Sequence, residues 1–269
     1  PLDELRPGDE RPASMTRIIR GRIVGNAWQD QQTVFEAPHA SYATTRLQYG
    51  SRIAFDREGY LYFSIGDRGH GAQAQDLSRP NGKVHRLHLD GRIPKDNPFV
   101  ERPDALPSIF SFGHRNPQGL AVHPETGRLW ASEHGPMGGD EVNVIRNGGN
   151  YGWPLTTGGR TVPSTETPAR AYLPAIELSG ATFYAGALFP TFENDLFFTS
   201  SVGYLHRVRL DPNDPRRIVD EERLLDGQFG RLGDVVAGPD GAIYLATDRE
   251  GRNGAASGGD QILRLVPAR

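Results

Sequence analysis

A strand, a tight turn and a second strand recur four times along the chain: RIAFDREGYLYFSIGD from Arg52, GLAVHPETGRLWASEHG from Gly119, AGALFPTFENDLFFTSS from Ala185 and DVVAGPDGAIYLATDRE from Asp234. Each turn carries a residue tolerant of positive φ, namely Gly59, Gly127, Asn194 and Gly241, as a short hairpin loop requires. Alternation such as Tyr60-Leu61-Tyr62-Phe63 follows the first of them, the period of a strand. The turns return at intervals of roughly 50–70 residues, a propeller blade's length once loop insertions are allowed. Sandwiches seldom repeat one hairpin at such spacing, so the pattern predicts an all-β fold, a β-propeller of four-stranded antiparallel blades forming one domain over residues 1–269. Helical periodicity is interrupted throughout by Gly or Pro, 33 and 21 of them respectively, which is turn punctuation on a large scale. Long Gly/Pro-rich insertions run from Gly66 to Phe99 and from Gly135 to Pro174; in a propeller such loops gather on one face and build the site.

Composition narrows the function. Thirty Lys and Arg against 33 Asp and Glu leave a net charge of −3, which offers no basic surface for a phosphate backbone, so nucleic acid is not an expected partner. With no cysteine, disulfides, thiolate zinc sites, iron–sulfur clusters and cysteine nucleophiles are excluded, and redox chemistry must come from a bound cofactor. No stretch approaches the ~18 consecutive apolar residues of a membrane span. The chain opens on Pro1 with a polar segment that has no hydrophobic signal core, the start expected of a processed or trimmed chain.

Four stretches carry candidate chemistry. Gly113-His114-Arg115-Asn116-Pro117-Gln118-Gly119 packs a cation, an imidazole and two amides into one turn, suiting an anionic, oxygen-rich ligand or simply capping a blade. Ser132-Glu133-His134-Gly135-Pro136-Met137-Gly138-Gly139-Asp140-Glu141 combines carboxylates with glycine-freed carbonyls, the hard oxygen donors that calcium prefers, though not at EF-hand spacing. Gly148-Gly149-Asn150-Tyr151-Gly152-Trp153-Pro154 offers two aromatic rings for a ligand or for packing. Asp90 to Phe99 reads as a hairpin turn and a rigid connection. The remaining histidines, His39, His70, His85, His88, His123 and His206, are scattered and read as surface or strand-face residues, with no HExxH pair.

Taken together, the segments Arg52 to Asp67, Ala74-Gln75-Asp76-Leu77, GKVHRL, DGRIPKDNPF, GHRNPQGL, SEHGP with its following DE, GGNYGWP and GRLGDVVAGPDGAIYLATD resemble the soluble quinoprotein glucose dehydrogenases and aldose sugar dehydrogenases, the glucose/sorbosone dehydrogenase family. The resemblance runs in consistent order from about Thr16 to the C-terminus. It implies a six-bladed propeller that binds pyrroloquinoline quinone (PQQ) and calcium, oxidises aldoses at C1 to lactones, passes electrons to an external acceptor, and is exported or periplasmic. It further implies that Arg115, Asn116 and Arg231 contact the cofactor, and that the carbonyls of Gly135 and Pro136 ligate the calcium that also binds it. Glu141 and the Tyr151 carbonyl correspond to a second, structural calcium.

Departures from the family pattern accompany these matches. In the family a histidine four residues before the arginine of the first repeat acts as general base, and Gln48 stands at that position; an amide is no base at neutral pH. Tyr49, or a residue outside this chain, is the expected replacement. An expected lysine is Ser201 and a second arginine is Gly233, each lost charge-assisted contact being worth roughly 1.5–3 kcal/mol of cofactor binding. Family members carry at least one more blade ahead of Thr16, so a propeller lacking an N-terminal blade is also expected. Three readings stay open: a PQQ- and calcium-dependent sugar dehydrogenase, a non-catalytic propeller that binds carbohydrate or protein, and a calcium-dependent lactone hydrolase.

Overall fold

The computed structural model describes residues 2–4, 12–136, 138–248 and 259–268; Met137 of the glycine-rich stretch, Arg249 and Glu250 of the fourth hairpin, and most of the polar N-terminal segment lie outside them. The chain packs as two compact units, the first comprising residues 1–116 and 146–155, the second 117–145 and 156–269. Among the described residues the regular structure is β-strand with three short 3-10 turns and no α-helix.

In the first unit β1 (Leu2–Glu4) pairs with β2 (Ala13–Met15), β3 (Arg17–Val24) with β4 (Ala27–Glu36), and β5 (Gly50–Phe55), β6 (Tyr60–Ile65), β7 (Lys83–His88) and β8 (Ile109–Phe112) form one antiparallel sheet in chain order. The second unit holds a four-stranded sheet of β9 (Pro117–Val122), β10 (Leu129–Glu133), β11 (Asp140–Ile145) and β12 (Arg170–Tyr172). Beside it are a second of β13 (Leu178–Phe183), β14 (Leu196–Ser200), β15 (Tyr204–Asp211) and β16 (Asp214–Leu224), and a three-stranded sheet of β17 (Arg231–Ala237), β18 (Ile243–Asp248) and β19 (Ile262–Leu265). These up-and-down antiparallel sheets are propeller blades. Three of the four recurring hairpins, those turning at Gly59, Gly127 and Gly241, are the first two strands of their sheets; the third needs correcting, because the segment from Ala185 is a loop with a 3-10 turn (Pro190–Phe192) and the strand that pairs with β14 is β13, just before it. All four turn residues have positive φ: Gly59 +81°, Gly127 +67°, Asn194 +64° and Gly241 +78°.

Two further expectations need correcting. The insertions after Gly66 and Gly135 are not wholly irregular: the first contains β7, the third strand of its sheet, at Lys83-Val84-His85-Arg86-Leu87, which the sequence itself reads as a strand, and the second contains β11 and β12, the third and fourth strands of theirs. Nor do three of the four second strands alternate between a buried and a more exposed face: Leu61–Ile65 of β6 and all of β10 and β14 are buried, while β18 does alternate. In the second unit the reason is plain, since Trp130 and Val142 of one sheet interleave with Leu178, Phe198 and Val208 of the next. Each such side chain removed from water contributes about 1.5–3 kcal/mol.

Lys83 ties this scaffold to the loop that follows β6. Its ammonium is buried and donates to the carbonyls of Gln73, Ala74 and Asn81 at 2.8, 3.0 and 2.7 Å, one acceptor for each N–H. Lys83→Met would leave the Asn81 carbonyl without this donor and take one donor each from the Gln73 and Ala74 carbonyls, which keep the Asp76 and Gly113 N–H groups. It is expected to cost about 1–3 kcal/mol, read as a lower midpoint in denaturant unfolding; an unchanged midpoint would contradict this account of the loop.

Candidate active site

The first unit gathers most of its polar candidates where β5 begins. The chain enters that strand through a left-handed turn in which Gln48, Gly50 and Ser51 have φ of +53°, +63° and +67°. At Gly50 a Cβ would stand 2.8 Å from the Gly66 nitrogen, so the close approach of β5 to the end of β6 requires glycine there. Asn116 fastens the turn by accepting the Gly50 N–H at 3.0 Å. Gln48 is half-buried, and its Oε1 is shielded from solvent with no hydrogen-bond partner among the described residues.

Arg68 supports the same turn from behind. It is fully buried, stacks 3.3 Å from the ring centre of Tyr49, and donates to the carbonyls of Thr45 and Leu47. The Tyr49 hydroxyl meets Ser14 Oγ at 2.7 Å and Arg46 at 3.5 Å. Burial opposes ionisation of this phenol, but Ser14, Arg46 and Arg68 outweigh it and hold Tyr49 below the usual tyrosine value.

Arg115 is half-buried with its guanidinium 5.5 Å from the Trp153 ring centre, a cation–π distance. The indole N–H donates to Asp67 Oδ2 at 2.7 Å, Gly69 N–H donates to Asp67 Oδ1 at 2.9 Å, and the Asp67 N–H donates to the Arg115 carbonyl at 2.8 Å. Gln75 joins them, donating to the Trp153 carbonyl at 2.8 Å and pairing its amide with that of Asn150. His114, by contrast, turns inward: it is buried, hydrogen-bonded to Ser111 Oγ at 2.8 Å and stacked on Tyr151 at 4.5 Å. Tyr151 is likewise a packing residue by its ring, while its hydroxyl accepts the Arg146 N–H.

The second unit holds the other candidates. Asp140 is buried and spent on backbone, accepting from Gly135, Ile176 and Leu178 at 2.9, 3.1 and 3.3 Å; it fixes the turn that presents Gly135 and Pro136. Glu141 lies opposite Glu133 in the β10–β11 register, and burial together with that neighbouring carboxylate pushes it up to about 7. Among the described residues no group of three or more His, Asp or Glu side chains gathers as a metal site, so a cation here would draw on backbone carbonyls beside this acidic pair. Arg231 contacts Glu177 at 3.8 Å and Asp248 at 3.4 Å. Ser201 N–H donates to the Glu177 carbonyl, and the Gly233 carbonyl accepts from Ser179 Oγ. Tyr151 belongs to the first unit and Glu141 to the second.

If this acidic pair holds calcium, calcium at a hundredfold excess over its dissociation constant is expected to stabilise the protein by about 2.7 kcal/mol. Thermal melting with and without chelator checks it, and Glu141→Gln should remove most of the gain. A shift that E141Q retains would place the ion elsewhere.

Sequence reading missed Asp67, Arg68 and Gln75 as working residues, and left Trp153 between a ligand face and a packing ring. Only the placement of Asp67 and Arg68 at the end of a hairpin strand, next to Gly66 and Gly69, hinted at a loop built to carry something.

Comparison with known proteins gives these residues a context. The family description "Glucose / Sorbosone dehydrogenase" matches residues 6–262. The aldose sugar dehydrogenase YliI of Escherichia coli (strain K12) is 37% identical, over 90% of this chain and 68% of the relative. An uncharacterized protein of Synechocystis, slr1608, is 37% identical over 94% of this chain and 64% of its own length; the chain thus spans about two thirds of these curated relatives. The PQQ-bound aldose sugar dehydrogenase of Streptomyces coelicolor superimposes with a TM-score of 0.78 at 32% identity, covering 95% of this chain and 73% of that one.

Proposed function

The chain belongs to the glucose/sorbosone dehydrogenase family, and on that premise we propose that it is a PQQ- and calcium-dependent dehydrogenase oxidising aldoses at C1 to lactones. The observation that carries the reading is the pairing, in one unit, of a half-buried arginine seated against an indole with the buried, unpartnered amide oxygen of Gln48. PQQ is a planar polyanion, and the first unit's donor set suits it: Arg115 for quinone or carboxylate oxygens, and the amide of Asn116 beside it. In the second unit the Glu133–Glu141 pair suits a divalent cation, which would relieve the repulsion between the two carboxylates. The carbonyls of Gly135 and Pro136 are proposed ligands of the calcium that serves the cofactor, distinct from a second, structural calcium proposed at Glu141. Arg231 is a proposed cation for the cofactor's carboxylates.

When bound, the quinone supplies a two-electron hydride acceptor. The protein's part is positioning and proton handling. Gln48, at the position of the family's histidine, takes no proton. Tyr49, as the phenolate that Ser14, Arg46 and Arg68 favour, takes the proton of the sugar's C1 hydroxyl in the place of the family's histidine. An external electron acceptor returns the site to its starting state, and an exported or periplasmic location goes with this reading.

A second reading, a propeller that binds carbohydrate or protein without catalysis, draws on Arg231, whose charge faces Glu177 and Asp248, and on the residues at 48, 201 and 233. One experiment separates the two. Calcium-loaded protein is titrated with PQQ while the quinone absorbance is followed, then given an aldose and an electron-accepting dye. Binding near or below about 1 μM with dye reduction supports the dehydrogenase. Carbohydrate binding without quinone uptake supports the second reading and overturns the first.

A further inference from the structure

We propose that Asp67 is a positioning residue of this site, acting through Trp153 to fix the guanidinium of Arg115; the inference rests on the reading of Arg115 as the cofactor's cation. Asp67 is 1% exposed and holds Arg115 from two sides. Its N–H donates to the Arg115 carbonyl at 2.8 Å, which sets the backbone. Its Oδ2 accepts the Trp153 indole N–H at 2.7 Å, which sets the ring lying 5.5 Å from the guanidinium.

The main chain of Trp153 is braced as well. Its backbone N–H donates to the Gly113 carbonyl at 2.9 Å and its backbone carbonyl accepts from Gln75 at 2.8 Å, while a Cβ on Gly71 would reach within 3.2 Å of the indole nitrogen. Glycine at 71 therefore leaves room for the ring edge that Asp67 holds. Both carboxylate oxygens of Asp67 receive N–H donors, from Gly69 and from Trp153. With both oxygens engaged, its work is to orient, and a cation–π partner held by a charge-assisted hydrogen bond favours one place for the guanidinium.

Asp67→Asn tests the inference. The substitution leaves one acceptor for two N–H donors and turns a charge-assisted bond into a neutral one. In 15N-labelled protein the indole N–H resonance of Trp153 (identified by W153F) and the Nε–H resonance of Arg115 (identified by R115K) are both expected to move, with the far-UV spectrum unchanged. In the quinone titration D67N is expected to raise the dissociation constant about three- to tenfold. W153F is expected to do the same, and D67N/W153F to do little more than either alone. An Arg115 resonance that stays put in D67N overturns the inference, as do additive effects on quinone binding. If the unaltered protein took up no quinone while both resonances moved in D67N, the dehydrogenase reading would fall and the positioning role would stand.

Discussion

Gln48→His is expected to raise the turnover of aldose by about a hundredfold or more, because a positioned general base contributes typically 10²–10⁴-fold and an imidazole is better matched to neutral pH than a phenol. The substitution keeps a side chain of similar reach in a turn whose backbone is already set by Asn116 and Gly50. Tyr49→Phe sharpens the test. It retains the ring under Arg68 but removes the hydroxyl, so it should abolish most turnover in the Gln48 background and be tolerated once histidine is present. Initial rates of dye reduction for the two single variants and the double variant check both statements. Equal loss from Tyr49→Phe in both backgrounds would mean that the phenol supports the turn and handles no proton.

Arg115→Ala carries the second large effect. A charge-assisted contact to an anionic cofactor is worth about 1.5–3 kcal/mol, so PQQ affinity should fall by roughly one to two decades. Arg115→Lys should recover only part of it, since an ammonium keeps the charge but neither stacks on the indole nor donates in a planar fork. Equilibrium titration of the three proteins, with melting curves to show that Trp153 and Asp67 still pack, is the check. Affinity indifferent to Arg115 would move the quinone away from this turn.

The fold was legible in the sequence because its signals are local. Gly59, Gly127 and Gly241 announce hairpins within a few residues of themselves, and each of those hairpins begins a sheet; at Asn194 the first strand lies farther back, in β13, beyond a 3-10 turn. Strands β11 and β12 were hidden inside a Gly/Pro-rich insertion. Double-sided burial of β10 and β14 comes from packing of one sheet on the next, and no single-strand pattern reports that.

Site residues divide along the same line. Arg115 and Asn116 stand out in one polar turn of the sequence, whereas Gln48 is reached only through the family resemblance. The bond between Asp67 and Trp153 joins residues 86 positions apart, and neither carries a motif that names the other. His114, in the same turn as Arg115, read as a ligand group from composition, yet it points inward to Ser111 and Tyr151. The acids facing Arg231 come from β18 and from the segment before β13, so its pairing was equally out of view.

The central claim is that this chain carries hydride from an aldose to bound PQQ. It is met most directly by a single-turnover experiment without electron acceptor: calcium- and PQQ-loaded protein is mixed anaerobically with glucose, the quinone absorbance is followed, and lactone is quantified. The account predicts loss of the oxidised quinone spectrum with one lactone formed per bound cofactor. A quinone that binds and stays oxidised in the presence of sugar, with no lactone formed, would contradict it.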